Sequence, residues 1–116
     1  MSVADASDLA PRTKEYKQCI EKAGAVAPAV LECIGDENSR QDKQLNAAYR
    51  KLMTSLKGNR KKQLLETQRL WMKYTEANRS FYYDSDGGTS ARMVSAECDA
   101  TARILRAAEL EELAKF

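Results

Sequence analysis

The two prolines and five glycines of this 116-residue chain fall at only six places: Pro11, Gly24, Pro28, Gly35, Gly58 and the pair Gly87-Gly88. Inside a helix Gly costs about 1 kcal/mol and Pro about 3 kcal/mol relative to Ala. The stretches between these breakers are rich in Ala, Leu, Lys, Glu, Arg and Gln, which lose little on entering a helix. Punctuation of this kind predicts a few helices joined by short turns, and no stretch shows the two-residue alternation of a half-buried strand.

Pro11 suits the first turn of a helix, and "RTKEYKQCIEKA" then puts Tyr16, Cys19 and Ile20 on one face. Gly24 ends that helix, leaving "GAVAPAV" as a connector. From Pro28 onward Val30, Leu31, Ile34, Leu45, Ala48, Tyr49, Leu52, Met53 and Leu56 keep helical spacing across a polar gap around Gly35. Two readings fit: one long helix, kinked or exposed near Gly35–Arg40, or a short helix over 28–34 and a separate one from about 39. Gly58 follows, with Asn59 as the expected N-cap of a third helix over about 60–82. In that helix Leu64, Leu65, Gln68, Trp71, Met72, Thr75 and Arg79 recur at helical spacing. "YYDSDGGTS" is a loop, after which Thr89 or Ser90 is expected to cap a fourth helix carrying Met93, Val94, Ala96, Cys98, Ala102, Ile104, Leu105, Ala108, Leu110 and Leu113.

The expected fold is all-α: an antiparallel helical bundle of about four helices, built on a hairpin of two long ones. Leu45, Tyr49, Leu52 and Leu56 are expected to face Leu64, Gln68, Trp71 and Tyr74. Gln68 is polar in that seam, so its amide is expected to bond Asn46 or a backbone group. Residues 1–10 read as a disordered tail and residues 11–116 as one helical domain.

With 43% hydrophobic and 31% charged residues the chain is globular in composition. Net charge is +2, spread as +7 over residues 12–79, −3 over 80–116 and −2 over the first eleven. The basic block suggests a nucleic-acid-binding reading, but a charge run on helices is usually a solvated face. No run is long and apolar enough to span a membrane. The small, polar start suits either a secreted protein whose signal peptide has been removed or a cytosolic protein.

The chain has no histidine and three cysteines, Cys19, Cys33 and Cys98. Without histidine there is no Ser-His or Cys-His catalysis, and three thiols lacking neighbouring ligands make a poor metal motif. No cofactor is expected. Cys19 and Cys33 flank the Gly/Pro connector, so the helices on either side can fold back and bring them together. In an oxidising compartment closing that loop contributes about 3 kcal/mol; in the cytosol the pair stays as two reduced thiols.

Trp71, Met72 and Tyr74 suit a ligand pocket, but a lone Trp at helical spacing with Leu64 and Leu65 is better read as core. Glu66, Glu76 and Glu97 have no spacing that pairs two of them across a cleft, and no catalytic role is assigned. Asn59 to Lys62 with Arg69 and Lys73 form a short basic stripe, better read as solvated. Asp84 to Thr89 lacks the ligands of a calcium loop and reads as a turn.

The order "YKQC", "LEC", "DKQLNAAYRKLM", "QRLWMKYTEAN", "GGT…ECDATARILRAAEL" resembles the lysozyme inhibitor LprI-like family over roughly residues 16–113. The most specific parts are Leu45, Asn46 and Tyr49 on one helix, and Gln68 and Trp71 on another; all five are taken as family-motif core. The family pattern also has a Cys before the first long helix and another near its start. The resemblance therefore implies a disulfide between Cys19 and Cys33. It implies a small secreted or periplasmic helical protein with no enzymatic activity. Three positions depart from the pattern: Thr75 and Glu76 replace Arg-Asp, and Arg79 stands where relatives carry a fourth Cys. Cys98 is then expected to be a free thiol, with the loop over 82–92 held by packing alone.

The expectation is thus a bacterial envelope protein that binds a protein partner, a lysozyme or other peptidoglycan hydrolase, and occludes its cleft. Host-lysozyme defence and immunity against a rival bacterium's toxin are both open, as is the oligomeric state. Candidate partner-binding residues are the basic Arg60, Lys61, Lys62 and Arg92, suited to catalytic carboxylates, and the acidic Asp84 and Asp86, suited to a basic surface. The alternative is a non-inhibitory structural or adaptor protein of the periplasm.

Overall fold

The computed structural model describes residues 10–84 and 86–116. Four helices make up nearly all of this: α1 Lys14–Ala23, α2 Ala27–Ser55, α3 Asn59–Tyr82 and α4 Gly88–Leu113. The expected tail lies outside the described residues except for Ala10, which is buried. The all-α bundle of four helices is as expected. At 1.5 Å per residue α2 runs roughly 43 Å, most of the molecule's 50 Å long axis.

The local starts and stops differ in detail. α1 begins three residues after Pro11, because Thr13 is the cap and its Oγ1 accepts the Tyr16 N–H at 3.2 Å. Gly24, at φ 58°, closes the helix by donating its N–H to the Ile20 carbonyl. α2 is one unbroken helix through Gly35, so the single-helix reading holds. Its polar gap is not an exposed stretch, however: Glu37 is fully buried and Gln41 nearly so. Gly58 rather than Asn59 precedes α3, and neither Thr89 nor Ser90 caps α4, which follows directly on Gly87. Asp84 shapes that last turn, its Oδ1 accepting the Asp86 N–H and its carbonyl the Gly87 N–H, each at 2.9 Å. A side chain at Gly87 would bring its Cβ within 2.8 Å of the Ala91 Cβ.

The core joins Leu45, Ala48 and Leu52 of α2, Leu64 of α3, and Ala107 and Leu110 of α4, with Tyr49, Met53, Leu56 and Trp71 packed around them. Leu45, Leu52 and Leu64 therefore share one core, but the expected seam is incomplete: Tyr74 is exposed and Gln68 turns to α4. The closest neighbour of α2, however, is α4 and not α3. The inward face of α4 explains this. On the side that meets α2 it carries the buried Ala100 and Ala107, small residues that let two helix backbones approach. The larger Val94, Leu105 and Leu113, expected to face the core, are exposed. The cross-helix bonds run Asn38 to Ala96, Asp42 to Arg103 and Gln44 to Glu111, so α2 and α4 are parallel. α3 returns antiparallel to α4, with Gln68 opposite Arg106 and Arg79 opposite Asp99.

Candidate functional site

At the first junction, α1 is joined to α2 by the Cys19–Cys33 disulfide, with Cα atoms 5.7 Å apart. A buried carboxylate reinforces it. Glu37 accepts the Thr13 N–H at 2.8 Å, the Thr13 hydroxyl at 2.6 Å, Arg40 Nε at 2.8 Å and Gln41 Nε2 at 3.1 Å. Burial alone would raise its pKa; these donors outweigh burial and hold it below the usual carboxylate value. The approach of α1 to α4 is made through Glu97. Arg12 Nη2 donates to Glu97 Oε2 at 2.6 Å, to the Glu97 carbonyl at 3.1 Å and to Thr101 Oγ1 at 2.9 Å. The Tyr16 hydroxyl donates to Glu97 Oε1. Burial and then the Glu97 carboxylate push the Tyr16 pKa well above the ordinary phenol value. The disulfide is as expected, but the polar bonds around it were not read from the sequence, where Glu37 passed as part of a polar gap and Glu97 as a solvated carboxylate. The one available signal was Thr13 three residues before Tyr16, a cap with an amphipathic turn behind it.

At the far end of α3, on either side of the loop over 82–92 that was expected to be held by packing alone, polar bonds join α3 to α4. Arg79 pairs with Asp99 at 3.2 Å, the Ser95 hydroxyl donates to the Arg79 carbonyl at 3.1 Å, and Asn78 Nδ2 lies 3.5 Å from the Cys98 sulfur. Arg79 thus ties α3 to α4 with an ion pair. Cys98 is a free, half-buried thiol. Burial and then the neighbouring Asp99 charge raise its pKa. Around this corner the surface is apolar and open: Phe81 is 83% exposed, Tyr82 46% and Tyr83 42%.

The candidate partner-binding residues separate into two groups. Arg60, Lys61 and Lys62 sit in the first turn of α3 and are exposed, Arg60 reaching back to Gln63 at 2.7 Å. Asp84 and Asp86 lie past the other end of that helix, roughly 36 Å away at 1.5 Å per residue. Arg92, grouped with the lysines on charge, belongs to the first turns of α4 and so stands at the acidic end. The family-motif residues divide too. Leu45 is buried, Tyr49 and Trp71 pack on the core, but Asn46 is exposed, one residue round the helix from Leu45, and bonds only Asp42. The Gln68 amide is bonded as expected, but through its oxygen to Arg106 Nε at 3.0 Å rather than to Asn46.

Between α3 and α4 runs an open groove of 570 Å³, lined by Trp71, Tyr74, Tyr82, Val94, Leu105 and Arg106 among others. Trp71 is therefore both a core neighbour and a groove wall, and the pocket reading set aside in favour of the core applies to its outer edge. Among the described residues no three Cys, Asp or Glu side chains converge as metal ligands would, and no helix is long and apolar enough to cross a membrane.

No curated protein and no solved structure matches the chain. The family model described as Lysozyme inhibitor LprI matches residues 19–110, from the first cysteine of the disulfide to the last buried leucine of α4. The two motif helices, the disulfide and that match agree, and the chain belongs to the LprI lysozyme inhibitor family.

Proposed function

We propose that this protein binds a lysozyme-type peptidoglycan hydrolase in the bacterial envelope and blocks its cleft with the α3–α4 corner. Family membership supports the inhibitor class. The observation that carries the choice of surface is the exposed aromatic trio Phe81, Tyr82 and Tyr83, flanked by Asp84, Asp86 and Arg92. Aromatic residues and Arg supply most interface hot spots, because they bury much surface for little lost freedom. Exposed aromatics of this size, clustered at one tip, mark an interaction surface rather than ordinary scatter. The acidic pair suits a basic enzyme surface, and Arg92 suits the carboxylates that line a glycosidase cleft. The first turn of α3, with Arg60, Lys61 and Lys62, offers charge but no apolar anchor.

Lysis of a bacterial cell-wall suspension by lysozyme, followed as turbidity loss, tests this reading. Asp84→Lys with Asp86→Lys, and separately Phe81→Ala, are expected to weaken inhibition by at least about tenfold, while Lys61→Glu with Lys62→Glu leaves it unchanged. The reverse pattern moves the interface to the other end of α3. Loss of neither, or no protection against any hydrolase tried, removes the proposal in favour of a non-inhibitory envelope protein.

A further inference from the structure

The groove between α3 and α4 contains an unmet hydrogen-bond requirement. Arg106 is only 8% exposed. Its Nε donates to Gln68 and its Nη1 to Glu109, but Nη2 is buried with no acceptor among the described residues. A buried guanidinium N–H without an acceptor is costly, and natural structures rarely leave one so. The other charges along the groove are already matched, Glu97 by Arg12 and Tyr16, and Glu109 by Arg106 itself. What remains is the Arg106 guanidinium, one N–H of which lacks an acceptor, on a residue that lines a largely apolar groove whose 570 Å³ falls in the range of small-molecule sites.

We propose that this groove binds a small amphiphilic carboxylate. The apolar chain lies along Trp71, Tyr74, Val94 and Leu105, and the carboxylate accepts from Arg106 Nη2. A carboxylate matches the guanidinium fork in shape and charge, which a hydroxyl or an ammonium head does not. The Arg106–Glu109 pair does not bar it: Glu109 is 60% exposed, and an exposed partner is displaced or shared at little cost. This inference is independent of the inhibitor reading, since it concerns the α3–α4 groove and a small ligand rather than the corner and a hydrolase.

Trp71, the single tryptophan of the chain, stands in the groove wall and reports directly. Its fluorescence is followed while laurate is added below its micellar concentration, with dodecyltrimethylammonium as the cationic counterpart. A saturable change with laurate, at least about tenfold weaker with the cation, is expected. Arg106→Met and Leu105→Asp are each expected to weaken laurate binding by about tenfold or more. Arg50→Met, the same charge change at an exposed position of α2 outside the groove, leaves it unchanged. Leu105 is 44% exposed, so its variant folds and carries the test if Arg106→Met does not. No saturable change, equal binding of the cation, or undiminished binding by both groove variants overturns the proposal. So does a Trp71 response to lysozyme but not to laurate, which makes the groove a protein-docking face, or a response to protein concentration alone, which assigns it to a second copy.

Discussion

The junctions that hold α1 and α3 to the two central helices solve one problem in opposite ways. Each must fasten a peripheral helix to the closely packed pair α2 and α4. The α1 junction uses a covalent bond and a carboxylate that is fully buried and satisfied by four donors. The α3–α4 corner uses an ion pair in which Arg79 is 44% exposed, one hydroxyl and one weak bond to sulfur. Buried, hydrogen-bonded charges are insulated from salt, whereas exposed pairs are screened and contribute little. The molecule is therefore rigid where α1 docks and compliant where its aromatics are exposed.

The largest expected effect comes from removing the covalent tie. Cys19→Ala with Cys33→Ala should cost about 3 kcal/mol in the chain-entropy model, read by chemical denaturation. Amide exchange sharpens the comparison: protection should be lost first in α1, while α2 and α4 keep theirs. Uniform loss across all helices would show that α1 is not a separable unit.

Glu37→Gln is next. It replaces an acceptor-only carboxylate with an amide whose NH₂ faces the Thr13 N–H, and should cost about 2 kcal/mol. The same group gives a pH signature. Its folded pKa lies below its unfolded value, so its contribution is fully present above the unfolded carboxylate range, near pH 4.5, and is lost as pH falls through the folded value. Thermal denaturation should show stability dropping on acidification below that range, less steeply in the Gln variant. Equal slopes would assign acid sensitivity to other carboxylates.

Arg79→Ala should cost only about 0.5 kcal/mol, and added salt should erase even that. A loss that is large or independent of salt would place the corner in the same class as the α1 junction and end the contrast.

The helix count and the turns were legible in the sequence because Gly and Pro act through the backbone, without help from tertiary contacts. The Cys19–Cys33 disulfide was legible through the family resemblance, since the short connector brings the two thiols together but by itself leaves both the oxidised and the reduced pair open. The inward face of α4 was not. Reading for large apolar residues selects Val94 and Leu105, whereas the buried positions of α4 near its contacts with α2 are the small Ala100 and Ala107, so small size decided the face. Glu37 and Arg106 were missed for a related reason. A charged residue on a helix reads as solvated until its partners are known, and those partners come from other helices: Thr13 for Glu37, and Gln68 for Arg106. Arg79 was recognised as a departure, but the sequence does not show that Asp99 is positioned to meet it.

One turn of α4 ties these regions together. Glu97, Cys98 and Asp99 are consecutive, and successive helix residues point about 100° apart. The first meets Arg12 and Tyr16, the second Asn78, and the third Arg79. A stripe of alanines is a smooth surface on which a helix can rotate or slide with little change in buried area. These three side chains remove that freedom, since each finds its match at one angular setting only. The tripeptide works as a key that sets the rotation of α4, and with it decides which residues line the groove and which are turned into the core.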